Sequence, residues 1–468
     1  MLTKSIFLKK SNFFILFIFF VILIRVLSLF FSKIDLQGDE AQYWFWSTYF
    51  DWGYFSKPPF IAWIIFLFTS VFGNSVFIIK LPSLLAHMGT AISLFYLSKS
   101  FKRTNEEGLW LALSYLLFFA ISLSSNIIST DPFLLLFWTL SLLYFNELNK
   151  NQSLKNIVLT SIFIALGFYA KYAMIYFFLS SLVFAFIVPN KKIYIKNIFV
   201  IVCLVFILFS PHLFWIYSNG WVTITHTADN FNWGSRLFNF DQLLNFIIGQ
   251  FFITTPIIFY FYIKTITNIR ATLKVYAFEI SYSLPIILLV LIQSFISRAN
   301  ANWASVAFIG IAMIAINVLF NNYKKILVIN SVLGFLIMLI VSFILLFPPN
   351  LSPFNKLTGM KKAAEEIEFL DSSLNSKYIL FDDRMTISKF LYYLNSKQYK
   401  MKFLSDGINI DNHFSMMMPL SEKNISNEKI IFIHRYEEIP EYIKDKVLVS
   451  QLYEMPNKKN NFYISYIE

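Results

Sequence analysis

Over the first three quarters of the chain, long apolar runs alternate with short polar ones. Runs of bilayer-crossing length fall at 11–31, 76–98, 108–128, 132–147, 156–170, 172–188, 196–217, 242–263, 277–297, 302–320 and 325–347, since roughly 20 apolar residues suffice for one helical span. The pattern predicts about eleven membrane helices. Residues 60–72 are equally apolar but too few for a span, and an interfacial or re-entrant helix suits them better. The first run follows Lys4, Lys9 and Lys10, yet it is too long for a signal peptide and no small-residue cleavage site follows. After Phe347-Pro348-Pro349 the pattern changes. Residues 361–370 read as an amphipathic helix, 378–381 as a strand, 386–393 as a helix and 429–433 as a strand. The expected architecture is an all-α polytopic membrane domain over 1–349, with a first outer loop at 33–75. A small soluble α/β domain follows over 350–468, long enough for its own modest core.

Composition narrows the class. The 468 residues are 57% apolar and only 14% charged, against about a quarter charged in an ordinary soluble protein. A soluble enzyme, a disordered chain and a fibrous protein are excluded. The lone cysteine, Cys203, excludes a disulfide framework and a cysteine metal site. The net charge of +12 resides entirely in residues 1–349, because residues 350–468 hold 16 basic and 16 acidic side chains. With the N-terminus inside, alternating loops place 16 Lys and Arg on the cytoplasmic side against Glu106, Glu107 and Glu147. That excess is the positive-inside signature, so the expected topology is N-terminus in, C-terminal domain out, and nucleic acid is not a partner. Neither a 20–50-residue repeat nor an inverted duplication of the transporter kind is visible.

The candidate chemistry gathers in the outer loops. Asp39 and Glu40 follow the first span, where a partly desolvated carboxylate can take a proton from a hydroxyl. The plainer reading makes them helix caps. Trp44, Trp46 and Trp52 read as an interfacial aromatic belt. Lys57, before Pro58-Pro59, suits a phosphate. Asp131 precedes Pro132 at a span end, where a turn or cap is as good an account as substrate contact. Lys171 is a cation with almost no loop between two short spans, costly there unless functional or snorkelling to the headgroups. A further loop carries Trp221, His226, Asn232 and Arg236, aromatic, amide and cationic groups that suit a sugar, with His226 read as structural. Arg298 and Asn302 mark another span end, where an arginine fork matches phosphate oxygens. No Gly-rich phosphate loop serves a cytosolic nucleotide donor.

Gly38-Asp39-Glu40, Asp51-Trp52-Gly53-Tyr54-Phe55-Ser56-Lys57-Pro58-Pro59 and Lys80-Leu81-Pro82-Ser83 resemble the GT-C membrane glycosyltransferases related to protein O-mannosyltransferases. The branch resembled contains the lipid A aminoarabinose transferases. The likeness continues through Thr130-Asp131-Pro132, Tyr169-Ala170-Lys171-Tyr172, Asn219-Gly220-Trp221 and Asn300-Ala301-Asn302-Trp303, covering roughly residues 15–310. The first-loop pattern in this topology is fairly specific, and each later motif is weak alone. The resemblance implies a bacterial inner-membrane transferase with a periplasmic C-terminal domain. Its donor would be a polyprenyl-phosphate sugar, and its acceptor lipid A, lipopolysaccharide or another envelope glycan. It implies catalysis by Asp39 with Glu40 beside it, donor-phosphate binding by Lys57 and Lys171, and a substrate role for Asp131. Arg298 as a phosphate ligand follows from its position alone. Some relatives bind a divalent metal near the first loop. No His/Asp cluster for one is visible here, so the expected metal set is none and metal dependence stays open. A polytopic transporter or lipid-linked saccharide flippase is the alternative, and it predicts broken helices at mid-membrane.

Overall fold

The computed structural model describes residues 2–231, 238–349, 351, 354–405, 410–421, 425, 428–455 and 461–467. The chain forms two compact units. One comprises Met1–Phe30, Pro58–Phe60 and Lys80–Ser342, and the other Phe31–Lys57, Ile61–Ile79 and Phe343–Glu468.

The first unit is a helical body, and all eleven predicted apolar segments are helical. Helix Ala307–Asn322 is mostly buried, and its Ala, Gly, Ile and Met residues allow close packing on several sides. A Cβ on Gly310 would lie 2.6 Å from the Glu279 carbonyl, so only glycine permits this approach to the Ile269–Ser281 helix. The Asp131–Lys150, Leu154–Ala170 and Lys191–Ser218 helices pack in succession.

Several predicted spans are broken, for identifiable reasons. Residues 242–263 form Phe240–Thr254 and Pro256–Ile266, bent by 110°, and 277–297 fall within a second pair bent by 69°. Pro256 and Pro285 lack a donor and clash with a continuing helix. Thr255 takes φ 117°, costly for a β-branched residue. Among the described residues, three helices are long and apolar enough to cross a membrane, or five if each bent pair is one span. A third break separates Asn105–Leu116 from Phe119–Ser124 and frees carbonyls at the helix end. Fully buried Arg25 donates to the Leu116 and Ile121 carbonyls and to the hydroxyls of Ser122 (3.0 Å) and Ser125 (2.6 Å). Arg103, counted above with the charges that orient the chain, is also structural. It is largely buried, 2.5 Å from Glu279 and 3.5 Å from Glu107, and donates to the Met313 carbonyl.

The second unit contains a six-stranded sheet: β1 (Tyr378–Phe381), β2 (Met401–Leu404), β3 (Pro419–Leu420), β4 (Ile430–His434), β5 (Val447–Tyr453) and β6 (Phe462–Ile467). The order is β3-β2-β1-β4-β6-β5. The first four strands run parallel, and β6 is antiparallel to both β4 and β5. Helices Met360–Leu374 and Arg384–Tyr393 match the predicted helices and lengthen both. The predicted strands at 378–381 and 429–433 recur as β1 and β4. The short 60–72 segment is helix Phe60–Phe72.

Within this unit the first loop forms helix Gly38–Ser47. Trp44 and Trp46 are not an exposed belt; both are buried, and only Trp52 of the three is exposed. Trp46 stacks on Tyr54 at 4.8 Å, Trp44 meets the Tyr392 ring edge-on at 4.9 Å, and the Trp44 indole donates to Asn74 Oδ1. Burial against aromatic rings of the same unit, rather than contact with headgroups, uses their apolar surface.

Candidate active site

Gly38–Ser47 begins with a capping box. The Glu40 carboxylate accepts from the Gln37 backbone N–H at 2.9 Å, and the Gln37 side chain caps in return. Glu40 is buried and serves the helix end, whereas Asp39, one residue earlier, points outward with its side chain 54% exposed. Adjacent positions on a helix face different directions, which separates the two carboxylates' roles. Asp39 Oδ1 accepts from Arg384 Nη1 at 3.0 Å, and the same nitrogen donates to Gln42 Oε1. Arg384 and Gln42 were not among the candidates.

Asp35, just before this helix, fastens the loop to the C-terminal elements. Its Oδ2 accepts from the Met360 backbone N–H and its Oδ1 from the Tyr393 hydroxyl, each at 2.9 Å. Burial and then the Asp35 charge raise the Tyr393 phenol, keeping it a donor. On the other side of the loop, burial lowers His413 to about 3, so a neutral imidazole meets the Tyr49 hydroxyl at Nε2. Lys57 closes a tight turn: its backbone exchanges hydrogen bonds with Tyr54 at 3.2 and 3.3 Å. The Tyr54 hydroxyl, bonded to the Trp46 and Tyr49 carbonyls, fixes that turn in place.

The helical body gathers a second group. Lys171 sits in extended backbone between Leu154–Ala170 and the short turn Tyr172–Ile175, where helical hydrogen bonding is interrupted. Its ammonium lies 2.7 Å from Asp131 Oδ1, with both side chains less than a fifth exposed. Asp131 begins its helix directly before Pro132. Its carboxylate also accepts from Asn302 Nδ2 at 2.9 Å and from the Ser305 hydroxyl at 3.3 Å. Three predicted residues, Asp131, Lys171 and Asn302, therefore converge, joined by Ser305, which sequence reasoning missed. Its signal was its place three residues after Asn302, one helical turn on. Arg298 and Trp221 are exposed, and Trp221 has φ 63°. Asn232 and Arg236 lie outside the described residues.

Among the described residues no group of three or more His, Cys, Asp or Glu could hold a metal ion. The first-loop carboxylates do not fit one either. Asp35 is bonded to Tyr393 and Met360, Glu40 caps a helix, and Asp39 faces a guanidinium.

The sequence profile of the dolichyl-phosphate-mannose-protein mannosyltransferase family matches residues 56–215. A lipid A galacturonosyltransferase of Rhizobium johnstonii, RgtD, is 29% identical over 391 residues, 81% of each chain. The crystal structure of ArnT from Cupriavidus metallidurans bound to undecaprenyl phosphate superposes with a TM-score of 0.70. That match covers 97% of this chain and 98% of ArnT at 10% identity. The apo form gives 0.67 at 11% identity, covering 98% of each chain. The chain has the GT-C fold of these transferases. It is a multi-pass membrane glycosyltransferase. The matched stretch of this GT-C glycosyltransferase includes Lys57, Asp131 and Lys171, while Asp39 and Asn302 lie on either side of it.

Proposed function

We propose that this glycosyltransferase moves a sugar from a polyprenyl-phosphate donor to lipid A or a closely related envelope glycan. It would act at the outer face of a bacterial inner membrane, with its N-terminus cytoplasmic and its C-terminal domain periplasmic. The likeness to RgtD along most of both chains supports the acceptor class and makes a galacturonosyl donor the first to test. The observation that carries the chemistry is the exposed Asp39 carboxylate, held at a helix start with one oxygen on Arg384.

The reaction is a single displacement with inversion. An acceptor oxygen attacks the anomeric carbon, the bond from that carbon to the donor phosphate oxygen breaks, and polyprenyl phosphate leaves with the electron pair. Asp39 takes the proton when the acceptor is a hydroxyl; when it is a phosphate, Asp39 orients it instead. Lys57 and Lys171 neutralise the leaving phosphate, with Asp131 and Asn302 holding the Lys171 side chain in position. Arg298 contacts the same anion, and Trp221, Asn232 and Arg236 contact sugar or lipid. Glu40 supports Asp39 through the helix cap. The broken helices predicted by a transporter are present, but the hydroxyls at the two breaks are bonded within the helical body. Thr255 donates to Asn330 Oδ1, and Tyr262 bonds Ser283. They do not revive that alternative.

Mass spectrometry of envelope lipids from a strain lacking this protein tests the reading. Wild type restores a glycosylated lipid A species and Asp39→Asn does not; full restoration by Asp39→Asn would remove Asp39 from the reaction.

A further inference from the structure

The C-terminal sheet has a topological switch point. From β1 the chain passes to β2 on one side, while β4 lies on the other, all parallel. The carboxyl ends of β1 and β4 at such a point are where open α/β sheets hold ligands. Here that edge carries Asp382, Asp383 and Arg384 after β1, and Arg435 after β4. Asp382 accepts from the Arg435 backbone N–H at 3.1 Å, and the Arg435 guanidinium lies 3.6 Å from Asp383. Asp383 caps Arg384–Tyr393 through the backbone and hydroxyl of Thr386, at 2.8 and 2.7 Å. These bonds fix the backbone from which Arg384 projects.

Arg384 reaches Asp39 and Gln42, which lie three residues apart on one helix face. Gly38 makes the approach possible. A Cβ there would fall 2.5 Å from Met385 Sδ and 3.1 Å from Met385 Cα. Among the described residues, Asp39 receives its hydrogen bond at Oδ1 and none at Oδ2. The carboxylate is thus oriented by one oxygen and open at the other, and half of its surface remains accessible. An ordinary exposed ion pair contributes little stability, so folding alone gives weak reason for this arrangement.

We infer that Arg384 is a positioning residue of the transferase, through which the C-terminal domain aims the Asp39 carboxylate. This rests on the proposed role of Asp39. The planar guanidinium, tied also to buried Gln42, fixes the carboxylate's rotation in a way a flexible ammonium does not. Displacing a reacting group by about 1 Å costs on the order of 10²-fold in rate.

The test uses the full-length protein in nanodiscs with a polyprenyl-phosphate sugar and lipid A. Arg384→Ala is expected to lower kcat by about 10²-fold, with KM for the donor and thermal stability unchanged. Arg384→Lys should fall between the two, and added methylguanidine should restore part of the Arg384→Ala rate. A second readout needs no turnover. Labelling of Asp39 by a water-soluble carbodiimide, followed by peptide mass spectrometry, should rise several-fold in Arg384→Ala. Unchanged kcat overturns the inference, as does a loss matched by loss of folded protein without guanidinium rescue. If wild type transfers no sugar from any donor, the functional reading fails, and the labelling result then decides the inference: no increase overturns it.

Discussion

Removing Lys171 should cost the helical body more than removing Lys171 and the Asp131 charge together. The two groups are 2.7 Å apart and each is less than a fifth exposed. At an effective dielectric constant of about 20, that distance gives a gross attraction of about 6 kcal/mol, most of which offsets the cost of taking both ions out of water. Lys171→Met leaves the carboxylate with Asn302 and Ser305 as donors. The penalty is therefore below that of a fully orphaned charge, about 2 kcal/mol. Asp131→Asn with Lys171→Met removes both charges and should recover about 1.5 kcal/mol of that loss. Denaturant unfolding of wild type, both single variants and the double variant in mixed micelles gives the coupling energy. Additivity within about 0.5 kcal/mol would refute a working ion pair here. The catalytic arm is distinct: if Lys171 holds the donor phosphate, the double variant regains stability without regaining donor affinity.

Gly38→Ala should push the Arg384–Tyr393 helix away and cut transfer while the helical body stays folded, read as kcat beside thermal stability; full activity would contradict the close approach. Glu40→Gln should keep the cap and most activity, whereas Glu40→Ala should lose about 1 kcal/mol; an inactive but stable Glu40→Gln would give that carboxylate chemistry of its own. Burial first, then the Asp383 charge, raises Asp382 to about 6 from 3.8, despite the Arg435 N–H. Because the folded value is the higher one, the fold is disfavoured progressively as pH rises from about 4 to about 6. Asp382→Asn should therefore gain about 1 kcal/mol at pH 7 and nothing at pH 4, and equal gains at both would contradict the assignment.

Much of the fold was legible because apolar burial writes itself along the chain. Every apolar run became helix, and the C-terminal helices and central strands fell where their patterns lay. The bends at Thr255 and Ser283 were signalled by the prolines beside them, but run length overrode that signal. Strand β5 escaped because it is largely exposed and lacks the alternation of a half-buried strand. In the site, Asp131, Lys171 and Asn302 could be singled out because each stands out chemically against an apolar background. Ser305 offered only its spacing from Asn302, and a serine before a helix does not stand out by type. Arg384 was invisible for another reason. It is 345 residues from Asp39, and a surface-type arginine in a soluble domain carries no mark of its partner. Trp44 and Trp46 were misread because composition cannot distinguish an aromatic that meets lipid from one buried against Tyr392 or Tyr54.

The proposed reaction is sugar transfer from a polyprenyl phosphate to lipid A. It is tested most directly by incubating the purified protein in proteoliposomes with a galacturonosyl or aminoarabinosyl polyprenyl phosphate and lipid A, then analysing both lipids by mass spectrometry. The expected products are lipid A heavier by one sugar and free polyprenyl phosphate in equal amount, with neither formed by Asp39→Asn. Polyprenyl phosphate released without glycosylated lipid A, or equal product from Asp39→Asn, would contradict it.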